Sequence, residues 1–156
     1  MNLYSLLDSS AILANLKVKD KTELLNKIID LLRPLVSDEQ LEDIRQAVIQ
    51  RENIMSTGVG KNLAIPHGKV ASIEQNYAGF ATLKEPVDFD SIDGKPVTMV
   101  FLLVGPEKKN NTHIKLLSRI SRLMNSTSFR ETLMQCETPD EIYEVFHQEE
   151  LRYFGN

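Results

Sequence analysis

The run Val97-Thr98-Met99-Val100-Phe101-Leu102-Leu103-Val104 decides how the rest of the chain is read. It is short, apolar on both faces and rich in β-branched and aromatic residues, the pattern of a strand buried in the middle of a sheet with helices on each side. Asp93-Gly94-Lys95-Pro96 supplies a turn in front of it, and Tyr77–Leu83 upstream has the aromatic and small apolar content of a neighbouring strand.

The flanks on both sides carry helical patterns. Asp20-Lys21-Thr22-Glu23 has capping-box form and leads into Leu24, Leu25, Ile28, Ile29, Leu31, Leu32 and Leu35, with Pro34 set to end or kink the helix. Ser37 and Gln40 repeat the capping logic ahead of Leu41, Ile44, Ala47, Val48 and Arg51. On the C-terminal side, Asn110, Asn111 and Thr112 are expected to include the cap, Thr112 being able to serve, of a helix with the stripe Leu116, Leu117, Ile120, Leu123 and Met124. Ser126 or Thr127 opens a short helix through Leu133. Thr138-Pro139-Asp140-Glu141 starts the last one with an N-cap, a proline at the first helical position and an acidic residue at the third. Helices, then strands, then helices, with no repeat and no linker-like tract, predict an α/β fold over 1–156: one domain, a mixed β-sheet flanked by helices on both faces.

Composition narrows the function classes. A net charge of −4 lacks the basic stripe of a nucleic-acid binder. No apolar run is long enough to span a bilayer and the N-terminus lacks a signal-peptide pattern, so a cytoplasmic protein without membrane insertion is expected. The single cysteine, Cys136, allows no internal disulfide and reads as a semi-buried structural thiol. Three histidines without an H-x-x-x-H pattern do not make a conventional zinc site, and no metal or cofactor is expected. His147, among acidic residues, reads as a solvated surface group.

The chemistry concentrates in Arg51–Gly68, RENIMSTGVGKNLAIPHG. Gly58 and Gly60 allow a loop that turns N–H groups toward an anion, and Ser56 and Thr57 could add hydroxyls or simply cap the loop. Pro66 fixes its own φ and pushes Ile65 toward extended geometry, so His67 is presented on a stiff strand end with Gly68 leaving it unobstructed. Arg51 is a permanent cation whose guanidinium can grip phosphate oxygens as a fork. His113 extends a buried stripe at the N-terminal end of its helix, where the helix field disfavours a charged imidazole.

The spacing Glu52, six residues, Val59-Gly60, two residues, then Leu63-Ala64-Ile65-Pro66-His67-Gly68 resembles the phosphohistidine motif of the type-2 EIIA domains. These form the fructose/mannitol/nitrogen-regulatory family of the bacterial phosphoenolpyruvate phosphotransferase system. The likeness extends over the chain and takes in VDFDSIDGKPV at 87–97 and the start of the helix that carries His113. It implies that His67 is phosphorylated through Nε2, that Arg51 and His113 assist, and that an HPr-like protein is the phosphoryl donor. The acceptor would be an EIIB domain in sugar uptake, or a target protein would sense the phosphorylation state in nitrogen regulation. The group that holds the other nitrogen of His67 is left open. The alternatives are a binding module in which His67 is structural and, with less support, a small hydrolase with His67 as base.

Overall fold

The computed structural model describes Asn2–Gly155. Its centre is an antiparallel pair, β5 (Tyr77–Val87) and β6 (Val97–Pro106), in a six-stranded mixed sheet. On one side β1 (Leu7–Leu16) runs parallel to β5. On the other, the short strands β3 (Leu63–Ala64) and β4 (His67–Val70) lie end to end along β6, both parallel to it. β2 (Gly58–Gly60) closes that edge against β3.

Strand β6 shows why the sheet is buried twice. Val100, Leu102 and Val104 pack with Leu24, Ile28, Ile44 and Val48 in one cluster, supplied by α2 (Lys21–Asp30) and α3 (Asp38–Ile54). The alternate residues Met99, Phe101 and Leu103 pack in a second cluster. Its helices are the short α1 (Leu3–Leu6), α4 (Asn110–Met124), α5 (Thr127–Gln135) and α6 (Pro139–Phe154). A period of two thus assigns one strand to two cores. The expected α/β class and two-sided cover are what the structure has.

Local signals fared unevenly. Ser37 and Gln40 form the complete capping box, and Thr138 caps α6 with Pro139 in its first turn. Asp20 caps α2, but the Glu23 carboxylate accepts from Lys19 N–H, not from the N-cap residue. Thr112 is not a cap: α4 begins at Asn110, and Thr112 lies inside its first turn. Strand β1 has no counterpart in the sequence reading. His147 is half-buried with its ring 4.1 Å from that of Tyr4, so it is not the solvated residue expected. Cys136 is buried as a structural thiol, its Sγ donating to the Thr132 carbonyl.

The second core turns on four aromatic rings. Phe146 meets Phe80, Phe101 and Phe129 edge-on at centroid distances of 4.9, 5.7 and 5.1 Å, and it is 1% exposed. Truncating such a ring removes its transfer energy and leaves a cavity. Phe146→Ala is expected to cost about 3–5 kcal/mol in urea unfolding, with an unchanged denaturant slope.

Candidate functional site

β4 pairs with β6 alone, so its outer side is an edge open to a cleft. Helices from opposite faces of the sheet border that cleft: Ala47 and Arg51 from α3, and Asn110, His113 and Ile114 from α4. His67, Gly68 and Lys69 form the strand between them, and Glu107 completes the lining.

The register explains how one tetrapeptide serves both helices. His67 pairs with Leu103, and Lys69 with Gly105, so their side chains share the α4 face of β6; Gly68 pairs with Val104 and points toward α3. A Cβ on Gly68 would lie 3.2 Å from the backbone of Ala47 and Val48, tighter than ordinary contact. The missing side chain lets α3 come close enough to set Arg51 one turn further along beside His67. Gly105 does the same for α4, because a Cβ there would lie 3.3 Å from His113 Nδ1 and 2.3 Å from Asn76 Oδ1.

His67 is half-buried, and its Nδ1 lies 2.8 Å from the Ile65 carbonyl oxygen. A carbonyl can only accept, so Nδ1 carries the proton and Nε2 keeps a free lone pair. Burial pushes the His67 pKa below its ordinary value; the Ile65 carbonyl raises it, and Arg51 lowers it further. The ring is therefore mainly neutral at pH 7, with Nε2 unprotonated.

The His113 ring lies 5.7 Å from His67, centroid to centroid, and the residue is 3% exposed. Neither ring nitrogen has a hydrogen-bond partner among the described residues. Burial, then the proximity of His67 and Lys69, pushes its pKa down to about 4. A neutral buried imidazole with both nitrogens unsatisfied is an unused donor and acceptor beside His67.

The cations of the cleft are tethered. Arg51 Nη1 donates to the Met55 carbonyl at 2.8 Å, and Lys69 Nζ donates to Asn110 Oδ1 at 2.8 Å. Lys69 had no assigned role in the sequence, and Asn110, expected among the residues that cap α4, instead lies in its first turn behind the N-cap Lys109. The signal for Lys69 was its position two residues after His67, which places both on one face of a strand.

The structure does not bring Ser56, Thr57, Gly58 and Gly60 to this cleft; none of them lines it. Ser56 Oγ donates to the Phe89 carbonyl and accepts from Gly58 N–H. Thr57 is buried against Glu52. Gly60, at φ 95°, packs against Asp93, whose carboxylate accepts from Lys61 N–H. Apart from Thr57, these groups join the Gly58–Gly60 loop to the 88–95 segment, where Ile92 N–H also donates to the Gly58 carbonyl. Among the described residues no group of three or more His, Cys, Asp or Glu side chains could hold a metal ion, and no helix is long and apolar enough to cross a membrane.

Two neutral imidazoles, His67 with its Nε2 left free and His113 with both nitrogens unsatisfied among the described residues, thus share one open cleft with the cations Arg51 and Lys69. The family model for the phosphoenolpyruvate-dependent sugar phosphotransferase system, EIIA 2, matches residues 5–149, and the chain belongs to that family. It is 36% identical over 145 residues to a nitrogen regulatory protein of Bradyrhizobium diazoefficiens, covering 93% of this chain and 94% of that protein. It is 32% identical over 148 residues to the fructose-specific EIIABC component of Bacillus subtilis, covering 95% of this chain but spanning only 23% of that longer protein. Among solved structures, nitrogen regulatory protein IIA-Ntr from Neisseria meningitidis superposes with a TM-score of 0.84 at 32% identity, covering 92% of this chain and 98% of that one. The Escherichia coli IIAMTL chain, solved in complex with phosphorylated IIBMTL, has the same fold, with a TM-score of 0.75 at 21% identity and coverage of 92% and 99%.

The depressed pKa of His113 has a consequence for folding. In the unfolded chain this imidazole takes up a proton near its ordinary value of 6.5, whereas in the folded protein it resists until about pH 4. Its contribution to stability is complete above pH 6.5 and is lost as the pH falls through that window. Urea unfolding at stepped pH is expected to show a shallower decline between pH 6.5 and 4 for His113→Gln than for the wild type. Parallel curves for the two proteins would contradict a buried neutral ring.

Proposed function

We propose that the protein is a cytoplasmic phosphoryl carrier whose one domain accepts a phosphoryl group from an HPr-like protein on Nε2 of His67. The observation that carries this reading is the hydrogen bond from His67 Nδ1 to the Ile65 carbonyl, because it leaves Nε2 free toward an open cleft.

The Nε2 lone pair attacks the phosphorus of the donor's phosphohistidine. A new N–P bond forms as the donor's N–P bond breaks, and its electron pair returns to the donor ring. Such transfers pass through a loose, in-line transition state, so positioning and charge stabilisation supply most of the catalysis. Arg51, from α3, is the fixed cation for the phosphoryl oxygens, and Lys69 adds a second positive charge from the α4 face of the same cleft. His113 is neutral and can donate one hydrogen bond to a phosphoryl oxygen while its other nitrogen accepts. Burial of two nearby imidazoles, neither charged, avoids the repulsion that two imidazolium rings would create.

The onward step is transfer to an EIIB domain or a phosphorylation-dependent contact with a regulatory target. The 36% identity to a nitrogen regulatory protein supports the second role, and the 32% identity to a fructose-specific component supports the first. A purely structural His67 is disfavoured by the unsatisfied nitrogens of His113, which a packed structural histidine pair would have paired.

Incubation with phosphoenolpyruvate, enzyme I and HPr is expected to yield an acid-labile phosphohistidine, absent in His67→Ala. Arg51→Ala is expected to slow uptake by about 10²-fold, the scale for removing one preorganised charge-stabilising group, while the unfolding midpoint stays close to that of the wild type. No phosphoryl uptake by the wild type, under conditions that load another member of the family, would overturn the reading.

A further inference from the structure

We infer that Glu52, in the last turn of α3, is a positioning residue that aims the Ile65 carbonyl at His67 and so selects the tautomer of that ring; its kinetic consequence rests on the carrier reading above. Glu52 belongs to the motif in the sequence, yet it does not line the cleft. Its placement is unfavourable on two counts. The residue is 5% exposed, and a carboxylate in the last helical turn opposes the negative end of the helix dipole.

Both oxygens are engaged in a way that accounts for it. Oε2 accepts from Thr57 N–H at 2.8 Å, and Oε1 accepts from the Thr57 hydroxyl. Lys21, reaching from α2, places its Nζ 3.0 Å from Oε2 and lies 4.5 Å over the Phe89 ring. Thr57 is therefore fixed at backbone and side chain together, immediately after α3 ends.

From Thr57 the constraint runs through two backbone bonds. The Thr57 carbonyl accepts from Ile65 N–H at 3.0 Å, and the Ile65 carbonyl accepts from His67 Nδ1 at 2.8 Å. Pro66 contributes no N–H, and its carbonyl accepts from Leu103 N–H at 3.1 Å. The Ile65–Pro66 peptide is thus set between two held neighbours: the Pro66–His67 peptide, fixed by the sheet, and the Ala64–Ile65 peptide, fixed by Glu52 acting through Thr57. Releasing the Glu52 side frees the carbonyl to rotate away from Nδ1, and the proton then distributes between the two ring nitrogens.

The test uses the intact protein labelled with ¹⁵N-histidine. Ring ¹⁵N shifts and two-bond couplings report the His67 tautomer without any phosphorylation. The wild type is expected to show one tautomer, with the proton on Nδ1. Glu52→Gln keeps the shape but loses the carboxylate's paired acceptance; it is expected to show a mixture. Its phosphorylation by phospho-HPr should slow about ten- to a hundredfold in kcat, with KM for the donor unchanged. Thr57→Val, which removes only the hydroxyl, is expected to move both readouts the same way and by less, and Thr57→Ser to restore them. A folded Glu52→Gln protein with a single Nδ1–H tautomer and the wild-type rate would overturn the inference. Should that variant not fold, Thr57→Val is judged by the same two readouts. A wild type that takes up no phosphoryl group counts against the carrier reading, and the tautomer comparison still decides the role of Glu52.

Discussion

A histidine that must act as a nucleophile while partly buried faces two demands that pull against each other. It needs a partner on one nitrogen to fix its orientation, and it must not become so basic that it holds a proton on the other. A carboxylate partner would meet the first demand and work against the second, since its charge stabilises imidazolium. The 2.8 Å bond from Nδ1 to the Ile65 carbonyl meets both, because a backbone carbonyl orients the ring without a full charge and cannot titrate. Burial and the nearby cations then keep the ring neutral. The rest of the architecture can be understood as the means of keeping that carbonyl, which belongs to a loop and not to a long strand, in one place.

The sheet does this by economy. β4 is only four residues long, but its register along β6 divides its side chains between the two faces, and two missing side chains let helices from both faces close on the same edge. Gly68 admits α3 with Arg51, and Gly105 admits α4 with His113. The site is therefore built on rigid elements, except for the stretch from Met55 to Pro66. That stretch is stitched instead, by Ser56 to Phe89, by Lys61 to Asp93 and by Thr57 to both Glu52 and Ile65.

Much of this was legible in advance, for identifiable reasons. The two-faced strand at 97–104 announced a doubly covered sheet because a period of two with no polar face has few other solutions. That His67, Arg51 and His113 share one cleft agrees with the family resemblance that singled them out, which residue type alone did not do for Arg51. Ser56, Thr57, Gly58 and Gly60 were assigned to the phosphoryl group because glycines and hydroxyls near a reactive histidine suit an anion cradle. The structure spends Ser56, Gly58 and Gly60 on the segment at 88–95, a long-range contact that local spacing does not encode, and Thr57 on Glu52 and Ile65. Strand β1 was missed for a related reason: LDSSAILANL lacks clean alternation, and its pairing with β5 is broken by register shifts. Lys69 went unnoticed because its importance depends on which strand face it shares.

A carrier differs from a phosphatase or a phosphate-binding protein in having to release what it receives. A cleft of untethered cations would hold a phosphorylated histidine strongly and slow its onward transfer. Here Arg51 spends one of its five N–H groups on the Met55 carbonyl and Lys69 one of its three on Asn110, so on the carrier reading each cation is tethered in place before a phosphoryl group arrives and still has donors to offer it. His113 differs, since neither of its ring nitrogens has a hydrogen-bond partner among the described residues. On the carrier reading, that makes it the group whose satisfaction most distinguishes the loaded from the empty state, and the one most able to report that difference to the helix α4 that carries it.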